Sequence, residues 1–341
     1  MLSQEEVLEQ SKSAFAQWEE KWRAYSSING KIYKKNKTSF NDVAFAGIGK
    51  TAVIVGTGPS LERKMPILKK YRDKVEIICN DKSFGMLVNN DIIPDYVVLC
   101  DAGINYERWC EPYIGKTVNV KLVSAIPANP KWARHWKGKI YFFVNKDNIQ
   151  SEKIFSEISG CNEFLPAGSN VGNSSIVFSA SVLHYSYNVL IGYDFSWRDT
   201  DNYYAYNNSD KRYWMKHMAI IDNEGNLVNT SNNLYFSARW LTDFWQGTIA
   251  PSGVHLVDCS DGGISGLPKA DFERMLQVIP NVKPVSQKMK ENAAKTRAKT
   301  EVITNQQGMN RINELLKTKS VMNVSITYLE EADDKWLKEL N

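Results

Sequence analysis

Residues 56–60, Gly56-Thr57-Gly58-Pro59-Ser60, follow an apolar run at 52–55 with two glycines, a proline and two hydroxyls. Glycine allows close approach and positive φ, proline suits a first helical turn, and serine can cap. Free backbone N–H groups at such a helix start attract an anion. The dinucleotide fingerprint would need glycine where Leu61 stands, and a P-loop would need Gly-Lys-Ser/Thr in place of Leu61-Glu62-Arg63. The turn therefore suits a mononucleotide or nucleotide-sugar better than NAD, unless it is a tight strand-to-helix turn without a ligand. On the first reading, valine at Gly58 abolishes nucleotide binding and leaves the fold largely intact.

A second turn, Gly168-Ser169-Asn170-Val171-Gly172-Asn173-Ser174-Ser175, again sets glycines, hydroxyls and an amide before small and apolar residues. It suits phosphate or sugar hydroxyls. Residues 192–218 then gather Asp194, Asp199, Asp201, Tyr203, Tyr204, Tyr206 and His217 in a stretch too polar for a core. Asp199-Thr200-Asp201 matches the D-x-D pattern that holds a metal and diphosphate in many glycosyltransferases, a pattern short enough to recur by chance. Asp194 ends a predicted strand and is the better-placed carboxylate. The tyrosines could stack on a sugar or base, or form a lid packed on its own apolar face.

Short apolar runs at 52–55, 75–79, 96–100, 120–123, 140–144, 189–191 and 254–257 must position these groups. Several lack alternation, as strands covered on both faces do. Helical patterns at 61–71 and 173–184 lie between some of them, which predicts an open, mostly parallel Rossmann-like α/β sheet flanked by helices. Ligands of such sheets bind beyond the carboxyl ends of the strands. There the chain places the 56–60 turn, Asn80-Asp81, Asp101, Ser124, Asn145 and Gly192-Tyr193-Asp194.

Upstream, Ser3 and Glu6 form a capping-box pattern, with Leu8, Phe15, Trp18, Trp22 and Tyr25 at helical spacing. The expected organisation is a helix and irregular lead-in over 1–49, a catalytic domain over 50–282 with a lid at 195–235, and a basic helical extension over 283–341. Residues 283–299 hold six Lys or Arg against one Glu, either a solvated face or a polyanion or subunit contact.

The 341 residues are 43% apolar and 23% charged with a net charge of +4, too little to demand a nucleic-acid partner. No apolar run reaches the ~18 residues of a membrane helix, and the polar start is unlike a signal peptide. Cysteines 79, 100, 110, 161 and 259 are scattered, without a Cys-x-x-Cys pair, so a reducing cytoplasm is the expected setting.

The ordered segments "VIVGTGPSL", "IPDYVVLCD", "GSNVGNSS", "LIGYDFS", "GNLVNTS" and "VDCSDGGISG" resemble the motility accessory factor and 6-hydroxymethylpterin diphosphokinase-like family over about residues 50–270. The turns are also similar to those of bacterial sialyltransferases, with a Rossmann-type nucleotide-sugar fold. The resemblance implies that Gly58 and Ser60 meet the nucleotide phosphate and that Asn80 faces the nucleotide or donor; Gly56 and Asp101, at their strand exits, are further nucleotide- or donor-binding candidates. It implies that Ser169, Asn170 and Gly172 hold the donor, Asp194 lies against ribose or donor, and Tyr204 meets phosphate from the lid. Sialyltransferases carry a basic histidine after the lid, where this chain reads "NLVNTSNN"; His217 is the substitute candidate.

The expected activity is an inverting glycosyltransferase moving a sugar from a nucleotide donor to a glycan, protein or modified-DNA hydroxyl. The basic 283–299 run and the aromatic–basic "WARHWKGK" at 132–139 keep DNA open as acceptor. The alternatives are an ATP-dependent diphosphokinase acting on a pterin-like alcohol, with Mg²⁺ on Asp101 and Asp194, and a non-catalytic nucleotide-binding assembly protein. A homo-oligomer is compatible with each.

Overall fold

The computed structural model describes residues 4–146, 149–166, 168, 170–198, 204–207 and 217–279. Glu20–Asn281 form one compact unit; of the second, Met1–Glu19 with Val282–Asn341, only helix from Gln4 to Glu19 is described. The basic run at 283–299, Ser169, Asp199, Asp201, Tyr203 and much of the expected lid lie outside the described residues.

The sheet has eight strands: β1 (Thr51–Val55), β2 (Glu76–Asn80), β3 (Tyr96–Leu99), β4 (Lys121–Ala125), β5 (Ile140–Asn145), β6 (Phe164–Leu165), β7 (Tyr187–Ile191) and, after a hairpin, β10 (His255–Asp258). Their order is β10-β7-β1-β2-β3-β4-β5-β6, and every pairing is parallel. β1, Thr-Ala-Val-Ile-Val, is buried at every position, which explains its unbroken apolar sequence. Burial of each such Val or Ile contributes about 1.5–3 kcal/mol. β8 (His217–Ile221) and β9 (Leu227–Ser231) form a separate antiparallel hairpin within the expected lid.

The helices are α1 (Gln4–Asn36), α2 (Leu61–Lys70), α3 (Asp81–Asn89), α4 (Tyr106–Trp109), α5 (Pro130–His135), α6 (Ile149–Ser159), α7 (Val171–Val177), α8 (Asn232–Phe244) and α9 (Phe272–Val278). α3 packs on β2 and β3, and α7 crosses β1, β2 and β3. Beyond Val177 the helix widens into a π-turn, Phe178–Leu183, and stops at left-handed His184.

Three local expectations are corrected. Residues 26–36, whose polar sequence reads as the start of an irregular stretch over 26–50, continue α1. Ile32 and Tyr33 pack on the core, and Asn29 Nδ2 donates to Ile126 O and Ala128 O at 2.8 Å each. Gly30 lets the helix run close to α6, because a Cβ there would lie 2.6 Å from Ser159 Cα. Ser124 is a buried residue inside β4, not an exit residue. In "WARHWKGK", Trp132 and Trp136 are core residues, and the Trp136 indole donates to Val120 O at 2.8 Å. Their rings face inward and offer nucleic acid nothing.

Candidate functional site

From β1 the chain steps one way across the sheet to β6, then returns to lay β7 on the other side of β1. The carboxyl ends of β1 and β7 therefore border the topological switch point, where open α/β sheets bind ligands. The glycine turn leaves β1 here, and Gly192-Tyr193-Asp194 leaves β7.

The two exits are tied together. Gly56 N donates to Ile191 O at 2.8 Å, Gly58 N to Gly192 O at 2.9 Å, and Ser60 N to Asp194 Oδ2 at 3.3 Å. The expectation of free amides is thus corrected: three of the turn's N–H groups already have acceptors. Ser60 has helical φ and ψ, and its side chain makes no cap. Its Oγ makes no well-formed hydrogen bond, though its proximity to Asp194 helps keep that carboxyl ionised.

A Cβ on Gly58 would lie 1.8 Å from Asp194 Oδ2 and 2.8 Å from Gly192 O. Valine there would displace the carboxylate and press on backbone, so the expectation that the fold would be spared is corrected. Asp194 is buried, and burial raises its carboxyl to about 7 against the hydrogen bonding from Ser60. The next residue, Phe195, is held left-handed at φ 51°, with its carbonyl accepting from Thr230 Oγ1 at 2.7 Å. Such strain in a bulky residue persists only where surrounding contacts impose it.

The described lid turn, 204–207, rests on the same place. Ala205 N donates to Thr57 O at 2.9 Å, and Tyr206 N donates to the Glu62 carboxylate. Tyr204 OH accepts from Lys82 Nζ at 3.1 Å. Lys82 also lies 4.7 Å from the Tyr204 ring centroid and 5.9 Å from that of Trp109. Sequence reasoning missed Lys82. Its signal was position, one residue past the Asn80-Asp81 exit.

Asn80 ends β2 and caps α3: its Oδ1 accepts from Ser83 N at 2.9 Å and from Ser83 Oγ at 2.8 Å. Asp81 beside it is buried, which raises its carboxyl to about 7; Lys82 lowers it and Asp101 raises it. Asp101 is exposed at the β3 exit, where its Oδ1 accepts from Gly103 N at 2.6 Å. Asp101 thus acts electrostatically on Asp81, whereas Asp194 feels Asp258. Among the described residues no group of three or more His, Cys, Asp or Glu could hold a metal.

At the second turn, Asn170 caps α7 by accepting from Asn173 N at 2.7 Å. Gly172 touches the β7 exit, its carbonyl accepting from Tyr193 OH at 2.9 Å. His217 opens β8, in register with Ser231; its side chain lies outside the described residues. Asp258, which sequence reading overlooked, is fully buried at the β10 exit with Lys269 Nζ at 3.0 Å. Ser260 Oγ there accepts from Tyr193 N at 2.7 Å, so this loop braces the β7 exit from behind.

Comparisons with known proteins agree with this architecture. A family model described as 6-hydroxymethylpterin diphosphokinase MptE-like matches residues 27–200, just over half of the chain. The MAf glycosyltransferase from Magnetospirillum magneticum AMB-1 is similar in structure, with a TM-score of 0.57 and 18% identity, over 81% of this chain and 42% of that one. This chain therefore spans less than half of that protein's length, and the likeness concerns the fold. No curated protein matches the chain. Among the described residues no helix is long and apolar enough to cross a membrane.

Proposed function

This chain belongs to the 6-hydroxymethylpterin diphosphokinase MptE-like family, and from that premise we propose that it is a transferase using a nucleotide-activated donor, specifically a glycosyltransferase. One observation carries the reading: the lid turn is hydrogen-bonded onto the glycine turn at the switch point, with Tyr204 beside it. That arrangement sets aromatic and polar groups beside the turn, which a sugar donor would use more fully than a second phosphate would. The name of the structural neighbour points the same way.

In the proposed reaction an acceptor hydroxyl attacks the anomeric carbon of the donor. The new carbon–oxygen bond forms as the bond to the nucleotide phosphate breaks, and the acceptor proton passes to His217 as base. Asp194, pushed up to about 7 by burial, binds and orients the donor, accepting a ribose or sugar hydroxyl. Tyr204 meets the departing phosphate with its hydroxyl.

The alternative reading, the diphosphokinase, is supported by the printed description of the matching family. Mg²⁺ commonly uses one or two carboxylates plus substrate phosphates and water, and Asp101 and Asp194 at their strand exits are the carboxylates that would hold it. When bound, it would neutralise charge on transferring phosphates.

The test combines a nucleotide and nucleotide-sugar panel in thermal-shift assays, with and without Mg²⁺, and a product assay. A specific ligand stabilises the native state by mass action. Sugar transfer predicts a hexose-, pentose- or nonulosonate-sized mass increment on an acceptor, persisting in chelator for a monophosphate donor. AMP released stoichiometrically with a pterin diphosphate, and silenced by chelator, would overturn it in favour of the diphosphokinase.

A further inference from the structure

Lys82 is a half-buried ammonium at the mouth of the site. Its contacts among the described residues are the Tyr204 hydroxyl at 3.1 Å, the faces of Tyr204 and Trp109, and the neighbouring Asp81. No carboxylate lies within ion-pair distance of it among those residues. Asp81 is already engaged next door, its Oδ1 accepting the Lys82 backbone N–H at 2.7 Å. A cation drawn partly out of water without a full counter-charge is costly, and aromatic faces offset only part of that. The missing partner is an anion.

We infer that Lys82 is the phosphate-binding cation of this site: its Nζ, steadied by Tyr204 of the docked lid turn, takes the phosphate next to the transferred group. The inference rests on the proposed reading that a nucleotide donor occupies the sheet edge. Lys82 stands one residue beyond Asp81 at the β2 exit, and Tyr204 is one residue before the amide that bonds Thr57 of the glycine turn. Lid docking therefore sets cation, phenol and turn around one volume. A lysine suits this place, being a compact charge on a flexible stem that can follow a phosphate as its bond breaks. Charge-assisted hydrogen bonds of this type are among the stronger polar contacts.

The test titrates wild type, Lys82→Met and Lys82→Arg by calorimetry with the mono- and diphosphates of adenosine, cytidine, guanosine and uridine, and with the free nucleosides. Lys82→Met is expected to weaken the tightest nucleotide about tenfold or more while leaving its nucleoside unchanged, with Lys82→Arg in between. Should methionine unfold the chain, Lys82→Gln loses the same charge with a polar tip and is read in the same way. A charge-deleted variant that keeps wild-type nucleotide affinity, or loses nucleoside and nucleotide equally, overturns the assignment alone. Wild type that binds no nucleotide removes the underlying reading, and this assignment with it.

Discussion

Asp194 accepts the Ser60 amide, is buried, and has a carboxyl raised from its ordinary 3.8 to about 7. Between those values the unfolded chain releases its proton first, so this group lowers stability as pH rises from about 4 to about 7. Asp81 acts in the same direction over the same window. Asp194→Asn cannot ionise and keeps an oxygen for the Ser60 amide. Its unfolding free energy is expected to fall less than that of wild type between about pH 5 and 7, by on the order of 2 kcal/mol. Denaturant melts at the two pH values check this, and parallel curves would refute it. Gly58→Ala tests the close approach itself, because its Cβ would meet Asp194 Oδ2 and Gly192 O. A loss of about 1–3 kcal/mol is expected. Adding Asp194→Ala should restore part of it, because the carboxylate can be deleted whereas the Gly192 carbonyl cannot.

At the scale of elements, identified bonds fasten the lid turn to the sheet edge. Ala205 N reaches Thr57 O, Tyr206 N reaches Glu62, and Lys82 reaches Tyr204 OH. Tyr206 holds a left-handed φ of 60°, a conformation that costs a non-glycine residue roughly 1–2 kcal/mol. That local strain makes the turn's stability sensitive to each of these bonds. Glu62→Ala should therefore speed amide exchange at Tyr206 several-fold and leave exchange in β1 unchanged. Hydrogen-exchange mass spectrometry over both segments measures it; an unchanged rate at Tyr206 would mean that Glu62 does not fasten the lid. The β8–β9 hairpin of the expected lid is tied at its turn. Its turn residue Asp222 accepts Glu224 N and Asn226 N at 2.9 Å each and pairs with Arg198, while Asn223 N bonds Gly263 O at 2.9 Å.

For the whole molecule, Glu20–Asn281 hold the entire sheet and every proposed binding residue. Removing residues 283–341, which include none of these binding residues, is expected to leave nucleotide affinity within about twofold of wild type. If the basic 283–299 run holds a polyanion, the same deletion weakens DNA binding, and binding by the intact chain falls steeply with salt. Calorimetry with nucleotide and a salt series with duplex DNA separate the two outcomes.

The strands were legible because parallel strands covered on both faces need continuous apolar residues, and Ala52, Val53, Ile54 and Val55 advertise that locally. The glycine turn was legible for a similar reason: its residue types follow from backbone geometry over five positions. Strand order was not, since it depends on pairings such as Val55 with Ile191, far apart in the chain. The bond from Ser60 N to Asp194 spans 134 residues, so nothing local says that the turn's amides are already engaged. Trp132 and Trp136 read as an aromatic–basic patch because sequence records residue types and not the direction a side chain faces. The contact between Lys82 and Tyr204 spans 122 residues. Local chemistry thus determined which strand exits carry polar groups. Only tertiary packing decided which of those groups meet, because burial and pairing bring together segments whose sequences carry no sign of one another.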